Sequence, residues 1–183
     1  MINATKLNDE VYVTQDDITK VDRSDIEWLK AQAAKNPRER VRLCTHLDVN
    51  DAVHEMLIVH TKGTYVRPHK HPGKTESFHL IEGALDIVIF EDSGEIMEHI
   101  RMGDFTTGNR FFWRLSSSLY HTVIPRSDTV VFHETTSGPF DIATSKLDAT
   151  WSPEEGQNDA IRQYLDRLEV AILDKHQSFE KAD

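Results

Sequence analysis

Two histidines stand one residue apart in His69-Lys70-His71, a turn-forming Pro72-Gly73 follows, and Glu76 comes five residues after the second histidine. Successive side chains of a strand point to opposite faces, so on a strand read over residues 64–71 both imidazoles face the same way. The Pro-Gly turn lets Glu76 open the next strand and bring its carboxylate back beside the two rings. Two neutral imidazole nitrogens and a carboxylate are a recognised ligand set for a divalent transition metal. A fourth donor must come from elsewhere, and His121, in Leu119-Tyr120-His121-Thr122-Val123, is the best-placed candidate.

The same alternation aims Tyr65 and Arg67 to the side of His69. Arg67 then either grips an anionic substrate group with its two-pronged guanidinium or forms an internal ion pair with Glu134 or Asp86. Tyr65 either donates a proton or lines the wall. His133 and Glu134 are neighbours on a late strand and face opposite sides, so one of them points inward. His79 falls on the face opposite to Glu76. His46, His54, His60, His99 and His176 are scattered singly and read as solvated or hydrogen-bonded surface histidines, and Trp113 with Phe111 and Leu115 reads as barrel core.

The first group of residues resembles the cupin superfamily. Its first motif, G-x5-H-x-H-x4-E-x6-G, is met at every position by Gly63, His69, His71, Glu76 and Gly83. The second motif, P-x-G-x2-H-x3-N, is met only at His121, with Pro125 where Asn is expected. The resemblance implies a double-stranded β-helix with a metal between its sheets, held by His69, His71, Glu76 and His121. A narrower likeness runs over residues 22–157, where Asn36-Pro37-Arg38, the stretch from Gly63 through Pro72, and Ser137-Gly138-Pro139-Phe140 resemble the WbuC family of small cupin metalloproteins. Members of that family often accompany bacterial surface-polysaccharide genes, which implies a carbohydrate context.

Elements able to position these side chains are legible along the chain. Residues 1–40 read as an arm followed by a helix that Ser24 and Glu27 start as a capping box and Asn36-Pro37 ends. Residues 41–140 read as short strands near 41–47, 53–60, 64–71, 76–82, 84–91, 95–101, 111–115, 119–125 and 129–135, the spacing of a sandwich, barrel or jelly roll. Residues 141–183 carry two candidate helix starts, at Ser152 and Asn158. The second leads into an amphipathic helix through Ile161, Tyr164, Leu165, Leu168, Ala171 and Ile172, which packs on this domain or on a partner chain. The fold expected is therefore all-β, a cupin jelly-roll barrel with an N-terminal and a C-terminal helix.

Composition narrows the partners. The 183 residues hold 21 Lys+Arg against 31 Asp+Glu, a formal charge of −10 with no basic patch, which disfavours nucleic acid and anionic membranes. Cys44 is the single cysteine, so no intrachain disulfide or cysteine-based zinc site can form. Residues 1–17 lack the charged start and apolar run of a signal peptide, and a cytoplasmic protein is expected.

These readings converge on a metal-dependent enzyme with one divalent ion per chain, Fe, Mn, Ni or Zn. It would act on a small polar ligand, sugar-like or anionic, by isomerase, hydrolase or dioxygenase chemistry. The alternative is a cupin module that binds a metal or ligand without turnover. A homodimer is expected, because cupins of this kind commonly pair their sheets. The arm Glu10-Val11-Tyr12-Val13-Thr14 alternates as a strand does and can cover a partner's sheet edge or its own.

Overall fold

A run of residues that alternate between two faces needs a cover on each buried face, and the central strands of this chain are covered on both. The computed structural model describes residues 2–180, with side chains described through residue 175. The strands are β1 (Ala4–Lys6), β2 (Val11–Thr14), β3 (Arg40–Cys44), β4 (Val53–Thr61), β5 (His69–Lys70), β6 (Glu76–Glu82), β7 (Ala84–Phe90), β8 (Ile96–Gly103), β9 (Phe112–Leu115), β10 (Tyr120–Pro125), β11 (Thr129–Ser137) and β12 (Leu147–Asp148). Two helices flank them, α1 (Arg23–Ala33) and α2 (Asn158–Glu180).

The strands form a seven-stranded sheet in the order β1-β2-β3-β4-β11-β6-β9 and a five-stranded sheet in the order β12-β5-β10-β7-β8. Every pairing is antiparallel except that of β2 with β3. Strands adjacent in sequence are repeatedly separated in space, the Greek-key exchange that makes a jelly roll. This is the expected all-β cupin architecture, a double-stranded β-helix with one helix outside each sheet.

Apolar side chains of the two inner faces, among them Met56, Ile58, Phe78, Leu80, Ile87, Ile89, Val123 and Phe132, form the central core. Outside the larger sheet, Leu29 and Ala33 of α1 pack on Tyr12, Val41, Leu43, Leu57, Val59 and Val131. Outside the smaller sheet, Leu168 and Ile172 of α2 pack on Val88, Phe90, Tyr120 and Ala149. The C-terminal helix therefore covers its own domain. β4 shows the consequence: its first residues alternate exposed and buried, and from Met56 to His60 both faces are buried because α1 lies outside.

Three local expectations are corrected, and the arm takes one of the two edges open to it. The cap of α1 sits two residues earlier than Ser24: the Asp22 side chain accepts from the amides of Ser24 and Asp25, and Asp25 returns a bond to the Asp22 amide at 3.1 Å. A carboxylate fills the cap role as well as a hydroxyl. The strand expected over residues 64–71 shrinks to His69–Lys70, because Pro68 has no amide to give a ladder. No helix starts at Ser152, whose hydroxyl donates instead to the Ala149 carbonyl at 2.9 Å. The arm joins its own sheet through the Val11↔Arg42 and Val13↔Cys44 register. Among the described residues, no helix is long and apolar enough to cross a membrane.

Candidate metal centre

Three strand segments bring the predicted ligands together. His69 opens β5 and pairs in register with His121 of β10, which stands in the middle of the smaller sheet. His71 follows β5 by one residue, and Glu76 opens β6 on the facing sheet. Ligand nitrogens of His69, His71 and His121 all lie within 4.8 Å of one another. Glu76 closes the group, with Oε2 2.9 Å from His121 Nε2 and Oε1 3.5 Å from His71 Nε2.

The second nitrogen of each ring fixes its tautomer. His69 Nδ1 lies 2.8 Å from the Arg67 carbonyl, His71 Nδ1 2.6 Å from the Ser145 carbonyl and His121 Nδ1 3.1 Å from the Leu119 carbonyl. A carbonyl oxygen only accepts, so each Nδ1 carries the proton and each Nε2 keeps its lone pair. This is the outer arrangement metal-binding histidines use. With the His121 proton on Nδ1, Glu76 Oε2 and His121 Nε2 are buried and face each other at 2.9 Å as two acceptors, a costly state that a cation at the centre relieves. Three nitrogens and one carboxylate oxygen suit a divalent first-row transition metal, so the residues present fit such an ion.

Electrostatics favour the charge states that binding needs at His69 and Glu76, while at His71 a metal competes with a proton that Glu76 holds. Burial, reinforced by His121, Lys146 and the His71 ring, holds His69 well below the ordinary histidine range and hence neutral. Burial also pushes His71 down, but the Glu76 carboxylate outweighs it and leaves the ring raised. For Glu76 itself, burial is outweighed by the His121 and His71 rings, and its carboxyl is held well below the usual carboxylate range.

Of the four residues considered for proton transfer or substrate binding, one stands beside this group. Glu134 of β11 points inward, and its carboxyl is raised well above the usual range by burial and by the neighbouring Glu76 charge. His133 points the other way, with Nε2 3.7 Å from Glu55 on the outer face. Tyr65 and Arg67 do not share the face of His69. The Tyr65 hydroxyl donates to the Pro153 carbonyl at 2.9 Å, its ring stands edge-on to Tyr164 of α2, and burial pushes its pKa up to about 12. Arg67 donates to Ser152 Oγ at 3.3 Å and to the Ala149 carbonyl at 3.2 Å. Its ion-pair partner is Asp148 at 3.8 Å, whereas Asp86 is taken by Arg126 and His99. The cause is again Pro68: without a ladder over residues 64–68, strand alternation does not extend back from His69.

Among the scattered histidines, His54 and His60 are buried in place of the expected surface positions, His54 stacked on His46 and His60 edge-on to Phe132. His79 is exposed, and the side chain of His176 lies outside the described residues. Trp113 is core, its ring 5.7 Å from that of His121. The sequence reading missed Ser145. Ser145 acts through its backbone carbonyl, for which no side-chain signal exists.

Comparison with known proteins places these features in context. A domain of unknown function (DUF6016) matches residues 21–102, which include His69, His71 and Glu76 and stop before His121. A search of curated protein sequences finds no match. Among solved structures, protein SO0799 from Shewanella oneidensis is similar at 15% identity and TM-score 0.46, over 57% of this chain and 66% of that one. The oxalate decarboxylase of Bacillus subtilis at pH 4.6 is similar at 17% identity and TM-score 0.46, over 60% of this chain and 27% of the decarboxylase. That of Lactobacillus farciminis, in a formate complex, is similar at 14% identity and TM-score 0.43, over 54% and 27%. This chain thus spans about a quarter of the length of the decarboxylases it resembles.

Proposed function

We propose that this protein is a metal-dependent cupin enzyme that binds one divalent ion per chain through His69, His71, Glu76 and His121 and acts on a small polar molecule in the barrel mouth. The observation that carries the reading is the convergence of three lone-pair nitrogens, each pinned from behind by a backbone carbonyl, on a buried carboxylate. A bound divalent ion supplies Lewis-acid polarisation of a substrate oxygen, the requirement common to isomerisation and hydrolysis. Glu134, beside Glu76, is the residue placed to hold a proton for a substrate oxygen or carbon next to the ligands. The likeness to the WbuC family of small cupins supports a sugar or sugar acid as the substrate.

The test is turnover with the native metal restored. Sugars and sugar acids are incubated with the wild type and with His69→Ala, and product formation and oxygen consumption are followed. Product from the wild type alone is expected. A protein that takes up its metal and turns over none of them is a binding module, which contradicts the enzyme reading.

We also propose a homodimer. Support comes from Phe105, Phe111 and Phe112, which are exposed at or beside the β9 edge of the larger sheet. Light scattering at micromolar concentration should give twice the chain mass, and a monomer contradicts the proposal.

A further inference from the structure

The row of the smaller sheet that holds two of the ligands ends in an acid. His121 of β10 stands opposite His69 of β5, and His69 stands opposite Asp148 of β12. Residues directly opposite one another in a sheet point to one face, so the Asp148 carboxylate shares the inner face with both rings. Its neighbours take the other side: Lys70, paired with Leu147, lies over the Tyr120 ring, and Ala149 packs under α2. Exposure rises along the row, from 1% of the side chain at His121 to 39% at Asp148, and His71, on the same side of the group, is 18% exposed. The barrel therefore opens to solvent at the β12 edge, and a molecule that reaches the metal centre from there passes Asp148.

Asp148 is held in place without being used up. Lys146, itself half-exposed, brings Nζ to 2.8 Å from Oδ1. Arg67 Nη1 lies 3.8 Å from Oδ2, beyond hydrogen-bond reach, and the guanidinium gives its bonds to oxygens of Ala149 and Ser152. Oδ2 thus keeps lone pairs for a donor at the opening, with an ammonium beside it. The backbone around the pair is fixed to the centre on both sides: the Ser145 carbonyl accepts from His71 Nδ1 at 2.6 Å, and the Ala149 amide donates to the Pro68 carbonyl at 2.8 Å. A carboxylate so placed repels a second carboxylate and favours a neutral group that both donates and accepts. A hydroxyl does both, donating to Oδ2 and accepting from Nζ.

We infer that Asp148 is a specificity-determining residue that accepts a hydrogen bond from a substrate hydroxyl beside the metal-bound end, with Lys146 as the donor to the same hydroxyl. The substrate is then a small polyhydroxy compound, one end presenting oxygens to the metal and a further hydroxyl resting on the acid–ammonium pair. This inference rests on the metal-centre reading above and deepens it.

The test uses Co(II) as the metal and two matched pairs of racemic probes. Glycerate and lactate present the same 2-hydroxycarboxylate to the metal and differ only in a further hydroxyl. 2,4-Dihydroxybutyrate and 2-hydroxybutyrate repeat the contrast one carbon longer. Binding is read from the visible spectrum of the cobalt-loaded protein, and the readout is the affinity ratio within each pair. The wild type should prefer at least one dihydroxy acid over its partner by about ten-fold, the size of one hydrogen bond to a charged group. Asp148→Ala should abolish that preference while keeping full Co(II) content, and Asp148→Asn, which retains a neutral acceptor, should keep part of it. No preference in the wild type for either dihydroxy acid, or a preference that Asp148→Ala retains, overturns the inference and leaves the metal centre standing. Loss of Co(II) from both Asp148 variants would make the residue a support of the metal and also overturns it. Failure of the wild type to take up Co(II) overturns both readings.

Discussion

His71 Nδ1 lies 2.6 Å from the carbonyl oxygen of Ser145, a residue 74 positions further along the chain. Ser145 is itself held in a turn, its amide donating to the Asp141 carbonyl at 2.8 Å and its hydroxyl accepting from the Asp141 amide at 2.8 Å. The segment after the barrel therefore aims a ring of the candidate metal centre. Ser145→Ala should remove the hydroxyl half of this turn and lower metal affinity by about ten-fold, the low end for a partner behind a ligand. Competition with a chromogenic chelator measures it, and an unchanged affinity would show that the turn does not orient His71.

Arg67 belongs to the same long-range packing. Its bonds to Ala149 and Ser152 tie residues 149–152 to the stretch that leads into β5. Arg67→Ala should cost about 1–3 kcal/mol of unfolding free energy and speed proteolytic cleavage within residues 141–157, with metal content intact. Loss of metal at unchanged stability would return Arg67 to the site.

Two motif glycines have conformational reasons to be glycine. Gly63 adopts φ +107° and Gly83 φ +87°, the region that side chains avoid. At Gly83, between β6 and β7, a Cβ would also stand 2.4 Å from the Thr129 carbonyl oxygen. Gly83→Ala should destabilise the fold by about 2 kcal/mol or more. Thermal melts that coincide with the wild type would contradict this.

His60 makes acid stability depend on a buried ring. Burial moves its pKa from 6.5 down to about 4, so the folded protein keeps it neutral while the unfolded chain protonates it. Its contribution is fully present above pH 6.5 and is lost as pH falls from 6.5 toward 4, a change of about 3 kcal/mol for that interval. Denaturant melts of His60→Leu should show a shallower loss of stability between pH 6.5 and 4 than the wild type. Parallel curves would mean that the ring is already charged or solvated in the fold.

The parts of this protein legible in its sequence are those set by short spacing. His69, His71 and Glu76 are fixed relative to one another by one strand end and one turn, so their convergence could be read from eight residues. His121 could be placed because it stands inside a strand legible over residues 119–125. The face of Tyr65 and Arg67 could not, because Pro68 ends the ladder and the partners of both side chains lie more than eighty residues away. The choice between His133 and Glu134 turns on a one-residue register, which only pairing with β4 and β6 settles. The two-residue β12 carries too little pattern to be seen at all, yet it lies beside His69.

The most direct test of the account is the metal content of the purified protein by elemental analysis, beside that of a His69→Ala/His121→Ala variant whose fold is verified by circular dichroism. The account predicts one divalent transition-metal ion per chain in the wild type and essentially none in the folded variant. Equal metal in both, or a wild type that stays empty after incubation with Fe(II), Mn(II), Ni(II) and Zn(II) in turn, would contradict it.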